Sequence, residues 1–237
     1  MFLVGVLTPT RVPDSTVWLV RTDRSVVRQH TDDDILMIAD EVVTGYGRTG
    51  EMFGSDKYDI EPDLITVAKG LTSGYIPLSG AIISDKVSEV LKQGSDRMGM
   101  FSHGYTYSGH ALGAAAGLAN LQVIEDNNLI DNVNTVGQYF QTQLRQALQD
   151  YDVIGEVRGV GLMAAVELAR DKSTRTPFAA DQKVNKKFAD IVFEHNVIVR
   201  PMPNSCAVGI APPFVTTKED VDLIVAALVD ATERLEV

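Results

Sequence analysis

Apolar and polar positions along this chain follow two rhythms. ILMIA at 35–39 and LITVA at 64–68 are short unbroken apolar blocks, with the length expected of strands buried on both faces. SGAII at 79–83 is a third strand candidate, set apart from the second by Gly70, Gly74 and Pro77. Residues 85–93 read as a short helix. The stretch 94–109, GSDRMGMFSHGYTYSG, has four glycines, several aromatics and no period, and so predicts an irregular loop. Two helices should follow. One runs from Ala111 to about Glu125 and is rich in Ala and Leu; the next carries Val136, Tyr139, Phe140, Leu144 and Leu148 at helical spacing.

After Tyr151 come the strand-like pieces VIGEVRG and LMAAVEL, the polar loop DKSTRTPF, a helix from about Ala180 to Glu194, then VIVR and AVGIA. The last helix is announced by a capping box of Thr216 and Glu219 and an apolar face of Val221, Ile224, Val225, Leu228 and Val229. Strands alternating with helices make this α/β material, and the pattern places a domain boundary near residue 150, giving units of 1–150 and 151–237. Residues 11–34 show no clean period, although Val17, Val20, Arg24 and Val27 suggest a ragged helix.

Composition narrows the class. The 237 residues are 45% apolar and 22% charged, which is globular usage. A single cysteine, Cys206, excludes an internal disulfide and favours a reducing compartment, so the expectation is a cytoplasmic protein. The opening MFLVGVLTPT lacks the basic flank and small-residue cleavage site of a secretory signal, and no apolar run approaches a bilayer span. With 21 Lys+Arg against 32 Asp+Glu, the net charge of −11 repels nucleic acid and anionic membranes. Small-molecule or protein partners remain.

Three motif classes are set aside. GYGRTG at 45–50 matches G-x-G-x-x-G but stands five residues beyond the strand and opens no periodic helix, unlike a dinucleotide fingerprint. His30, His103, His110 and His195 lack metal-ligand spacing, and no G-x-S-x-G elbow occurs. What remains is Asp40 closing ILMIAD and Lys69 closing LITVAK. If their strands are parallel neighbours, both residues reach the edge where open α/β sheets bind ligands. They could form a structural ion pair, or an acid and a nucleophilic amine facing one pocket. Gly70 lets a planar group approach the backbone beside the lysine, and Asp40, Val42 and Lys69 together match what pyridoxal 5'-phosphate requires: a carboxylate for the ring nitrogen, an apolar surface and a Schiff-base amine.

DEVVTGYGRTG, EPDLITVAKGLTSGYIPLSGAIIS and HGYTYSGHALGAAAGLANL, followed by GEVRGVGLMAAVEL, TRTPF and VIVRP…APPF, resemble the class III pyridoxal-phosphate aminotransferases, the ω-amino-acid and amine transaminases of fold type I. The resemblance runs from about Ile35 to the C-terminus. It implies a partial large domain with a mixed, mostly parallel sheet and a C-terminal α+β small domain. It implies a homodimer acting on an amine donor and a keto-acid acceptor such as pyruvate. By resemblance, Asp40 pairs with the pyridine nitrogen, Val42 packs on the ring, and Lys69 condenses with the cofactor aldehyde and later moves the proton. Thr106 reaches the phosphate of the neighbouring subunit, and Arg200 in VIVRP binds a substrate carboxylate. Val43 stands where ornithine and 4-aminobutyrate members commonly carry Gln, which favours amine- and β-alanine-type chemistry. Tyr46 replaces a common Phe, and Arg48 reads as a structural partner.

Family subunits are longer, and the glycine-serine phosphate loop and ring-stacking aromatic that they carry upstream have no counterpart in this sequence. Residues 1–7 resemble the strand that precedes ILMIAD, whereas 8–23 fit poorly, as a truncated or frame-disturbed reading frame would explain. Two other functions stay open: a non-catalytic remnant that serves as a binding module, and a racemase, aminomutase or decarboxylase using the same lysine and aspartate.

Overall fold

The computed structural model describes residues 3–6 and 36–236, and the chain divides into two compact units, Met1–Asn128 and Leu129–Val237. The segment holding Val17, Val20, Arg24 and Val27 lies outside the described residues.

In the first unit, β1 (Leu3–Val6), β2 (Met37–Asp40), β3 (Leu64–Val67) and β4 (Gly80–Ile83) form one sheet in that order. β1, β2 and β3 run parallel and β4 pairs antiparallel with β3, so the sheet is mixed and mostly parallel. Between β2 and β3 lies a short helix, α1 (Gly54–Tyr58), and α2 (Asp85–Met98) and α3 (Ala111–Asp126) follow β4. β2 shows the two-residue period of a strand: Met37 and Ala39 are buried, while Ile38 and Asp40 are half-buried on the other side. Met37 joins Ile60 in a small apolar cluster against Tyr58.

α2 is longer than the 85–93 expected. Ser84 caps it, its Oγ accepting from Val87 N at 3.4 Å, and the helix runs through Gly94 to Gly99, whose φ of +79° ends it at little cost. The irregular loop therefore begins at residue 99, not 94.

The second unit comprises α4 (Leu129–Leu148), β5 (Ile154–Val160), β6 (Met163–Leu168), α5 (Val184–Glu194), β7 (Arg200–Pro201), β8 (Ala207–Ile210) and α6 (Lys218–Arg234). Its sheet has the order β5-β6-β8-β7 with every pairing antiparallel. One continuous apolar core lies between sheet and helices, and Val136, Phe140, Leu144 and Leu148 of α4 enter it at the spacing read from the sequence. The units divide at Asn128 and Leu129, one helix ahead of residue 150, because α4 commits this apolar face to the second unit's core.

The turn of the β5–β6 hairpin is pinned to α4 by Gln141, whose Nε2 donates to Gly161 O at 3.0 Å and Met163 O at 3.1 Å. A Cβ at Gly159 would stand 2.4 Å from Met163 O, so only glycine fits there. The lone cysteine, Cys206, is half-buried just ahead of β8, with its Sγ 3.6 Å from Phe178 O.

Two helix starts differ from expectation. α5 begins at Val184, not near Ala180, because Lys183 takes φ +48° and separates it from a 3-10 turn at Ala180–Gln182. α6 is capped one residue later than expected: Thr217 Oγ1 accepts from Asp220 N at 3.2 Å, and Asp220 Oδ2 accepts from Thr217 N at 2.9 Å. Among the described residues no helix is long and apolar enough to cross a membrane.

Candidate active site

Two turns at one edge of the first unit's sheet carry the candidate chemistry. β2 and β3 are parallel neighbours, with Asp40 paired in register to Thr66, so the chain leaves both strands at their shared C-terminal edge. Asp40 is the last residue of β2. Its Oδ1 accepts from Val42 N at 3.1 Å and from Thr66 Oγ1 at 3.2 Å, which fixes the carboxylate plane. Oδ2 accepts no hydrogen bond from the described residues, leaving one acceptor for a further donor.

Directly behind it, Glu41 is fully buried and bends the chain. Its carboxylate accepts from Gly54 N at 2.8 Å, Ser55 N at 2.6 Å and the Thr44 hydroxyl, so a buried charge is held by three donors. That anchor ties the 41–50 turn to the start of α1. Within the turn, Tyr46 is buried at φ +63° against the Phe53 ring, 5.6 Å between centroids. Burial pushes the Tyr46 hydroxyl up and brings the Arg48 guanidinium down to about 10.

β3 ends at Val67, and Lys69 opens a 3-10 turn, Lys69–Leu71, closed by Leu71 N to Ala68 O at 3.0 Å and Thr72 N to Lys69 O at 3.1 Å. Lys69 itself sits at φ +38°, a left-handed conformation that costs a non-glycine residue about 1–3 kcal/mol. Its side chain is exposed. A Cβ on Gly70 would lie 3.2 Å from Gly45 O and 3.4 Å from Tyr46 Cβ, so the turn behind the lysine rests against the turn behind the aspartate. The ion pairs among the described residues do not include Asp40 with Lys69.

A family-wide sequence model for aminotransferase class-III matches residues 22–232. The chain belongs to the class III aminotransferase family. It is 51% identical over 205 residues to a diaminobutyrate–2-oxoglutarate transaminase of Halomonas elongata, covering 86% of this chain and 44% of that protein. With an uncharacterized aminotransferase, y4uB, of Sinorhizobium fredii it shares 52% over 203 residues, covering 86% of this chain and 43% of the other. A PLP-bound amine transaminase from an uncultivated Pseudomonas species superposes with a TM-score of 0.84 at 38% identity, over 89% of this chain and 47% of that one. The class III chain described here thus spans about half the length of the curated relatives it matches. Its fold is the corresponding part of fold type I.

Of the other expected site residues, Val42 stays at this edge, and Thr106 and Arg200 are not joined to it by any hydrogen bond among the described residues. Val42 is half-buried and Val43 exposed, both in the turn behind β2. Thr106 opens an exposed turn, 106–109, that is closed by Ser108 N to Tyr105 O at 2.9 Å and Tyr105 N to Ser108 Oγ at 2.9 Å. No hydrogen bond among the described residues joins Thr106 to Asp40 or Lys69. Arg200 is exposed on β7 of the second unit, in register with Gly209.

Two residues that the sequence did not single out shape the edge: Glu41, and Asn120 of α3, whose Nδ2 donates to Gly70 O at 2.8 Å and Leu71 O at 3.2 Å. A hydroxyl three residues after an acid hints at Glu41. An amide polar group one helical turn past Gly117 hints at Asn120. A cofactor of the pyridoxal type is compatible with this edge, which offers a braced carboxylate with an open oxygen, an exposed primary amine and a glycine with no side chain between the two turns.

Proposed function

We propose that this chain is the cofactor-lysine part of a class III aminotransferase. It would move an amino group from an amine or ω-amino acid to a keto acid such as pyruvate, in the cytoplasm and as a homodimer. The contact between the turn behind Asp40 and the turn behind Lys69 carries this reading, because it gathers an acid and an amine from residues nearly thirty positions apart. Bound pyridoxal 5'-phosphate would supply the aldehyde and the electron-accepting ring that amino-group transfer needs.

Each residue then has a separate task. Asp40 Oδ2 would hold the proton on the ring nitrogen while Oδ1 stays braced by Val42 N and Thr66 Oγ1. The Val42 side chain would cover one ring face. Lys69 Nζ would condense with the aldehyde and, once a substrate amine displaces it, carry the proton away from the substrate's amine-bearing carbon. The Thr106 hydroxyl would donate to the phosphate in the neighbouring subunit, a task suited to an exposed turn. Arg200 would grip a substrate carboxylate with its two-pronged guanidinium. The apolar Val43 supports an amine or β-alanine type of donor.

The test is reduction. Borohydride added to the purified chain with pyridoxal 5'-phosphate should fix the cofactor to the Lys69 peptide, and a separate unreduced sample should exchange its amino group with isotopically labelled alanine. A chain that folds yet fixes none at Lys69 would sink the proposal, and fixation without exchange would point to one of the non-transaminating chemistries.

A further inference from the structure

α3 turns one face toward the turn that holds Lys69. Gly113, Gly117, Asn120 and Ile124 recur at helical spacing; the two glycines and Ile124 are buried, and Gly117 lies against Leu71 and Leu78. Asn120 is the polar member of this face. Its Nδ2 donates to Gly70 O at 2.8 Å and to Leu71 O at 3.2 Å, while its Oδ1 accepts from Ser73 Oγ at 2.6 Å. Backbone carbonyls can only accept, so chemistry alone fixes which end of the amide faces the turn.

Those carbonyls belong to the two residues immediately after Lys69. Lys69 is held at φ +38°, a conformation that persists only where the surroundings enforce it. The turn's own bonds, Leu71 N to Ala68 O and Thr72 N to Lys69 O, close the loop but do not fix it in space. Asn120 supplies that fixed point from a 16-residue helix.

We propose that Asn120 is a positioning residue for Lys69: by clamping the Gly70 and Leu71 carbonyls, it holds the lysine in its strained backbone state and so sets where the amine is presented. This rests on the reading of Lys69 as the cofactor-binding amine. Ser73 plays a supporting part by orienting the amide.

Two measurements on the full chain test it. The first needs no cofactor: hydrogen exchange at the Leu71 and Thr72 amides should speed up by about tenfold or more in Asn120→Asp and Asn120→Leu, which keep the side chain's size but remove its donors, and by less in Ser73→Ala. Amides of β2 and β3, in the same unit as Asn120, report whether each variant still folds. The second is selectivity. With limiting pyridoxal 5'-phosphate and borohydride, the ratio of cofactor fixed at Lys69 to that fixed at Lys92 and Lys186 should fall by about tenfold in the Asn120 variants. A defect of α3 itself would also quicken exchange along the α3 amides, whereas loss of the Asn120 clamp alone leaves those amides at their ordinary rates. Unchanged exchange at Leu71 and Thr72, or an unchanged ratio in a folded variant, overturns the assignment of Asn120. If the unsubstituted chain fixes no cofactor at Lys69, the functional reading falls, and the exchange arm still decides whether Asn120 holds the turn.

Discussion

The two units keep their shape by different means. In the second, helices and an antiparallel sheet enclose a core that includes Phe140, Phe188, Leu144 and Val166, each with no exposed surface. In the first, the described buried apolar residues, Met37, Ala39, Tyr46, Ile60, Val67 and Ile124, are scattered, with Met37 and Ile60 clustering beside Tyr58, β4 is exposed along its whole length, and Ile82 keeps 45% of its surface. Order at its functional edge comes from polar anchors instead: Glu41 on Gly54 and Ser55, Asp63 on Met37 N at 2.8 Å, and Asn120 on the lysine turn. Apolar burial gives a unit cohesion without direction. Hydrogen bonds give direction, which a site needs, and contribute less each.

The contrast can be broken in three ways. Phe140→Ala should have the largest effect, destabilising the second unit by about 3–5 kcal/mol through lost burial and a residual cavity. Hydrogen exchange should then quicken across β6 and β8 while β2 and β3 keep their rates; equal loss in both units would show that they do not stand apart.

Glu41→Gln should cost about 1.5–3 kcal/mol, because a charge-assisted acceptor of three donors is replaced by a group that turns an N–H2 toward one of them. The loss should appear at the Gly54 and Ser55 amides and leave the second unit's unfolding midpoint in place.

The smallest effect concerns acid. The Ser173 hydroxyl foremost, then the Thr174 side chain and N–H and the Ser173 N–H, hold the Asp171 carboxyl down at about 2, from an ordinary 3.8. A depressed folded-state value means that the contribution is complete above pH 3.8 and fades as pH falls toward 2. The Asp171–Thr176 turn should loosen across that window, and Asp171→Asn should remove this part of the acid response. An unaltered titration of the turn amides would show that the bonds do not form in solution.

Much of the frame was legible because it rests on local patterns. ILMIA and LITVA contain strands because a short apolar block fits a sheet, although β2 alternates buried and half-buried positions and β3 buries Val67 alone, short of the burial on both faces expected, and α4 is written in the spacing of Val136, Phe140, Leu144 and Leu148. Failures arose where two registers look alike. In TTKED both Thr216 with Glu219 and Thr217 with Asp220 make a capping box. Thr216 is buried with its N–H bonded to Pro213 O at 3.1 Å, and that tertiary detail decides for Thr217. Gly94 and Gly99 are equal stop signals on paper, yet only Gly99 takes the positive φ that ends α2.

The site divides in the same way. Asp40 and Lys69 stand out because a charge closing an apolar block is conspicuous in one line of text. Glu41 and Asn120 do not, since their partners lie 13 and 50 residues away and only folding brings them together. The positive φ at Lys69 is equally invisible, being imposed by the surroundings on a residue with no preference for it.

Cys206 gives the molecule a built-in reporter. As the sole thiol of the chain, half-buried ahead of β8 with its sulfur toward Phe178 O, it should react with a thiol-directed dye faster when that sheet parts. A single fluorophore would thus follow the opening of the antiparallel layer in real time, blind to whatever happens around the lysine.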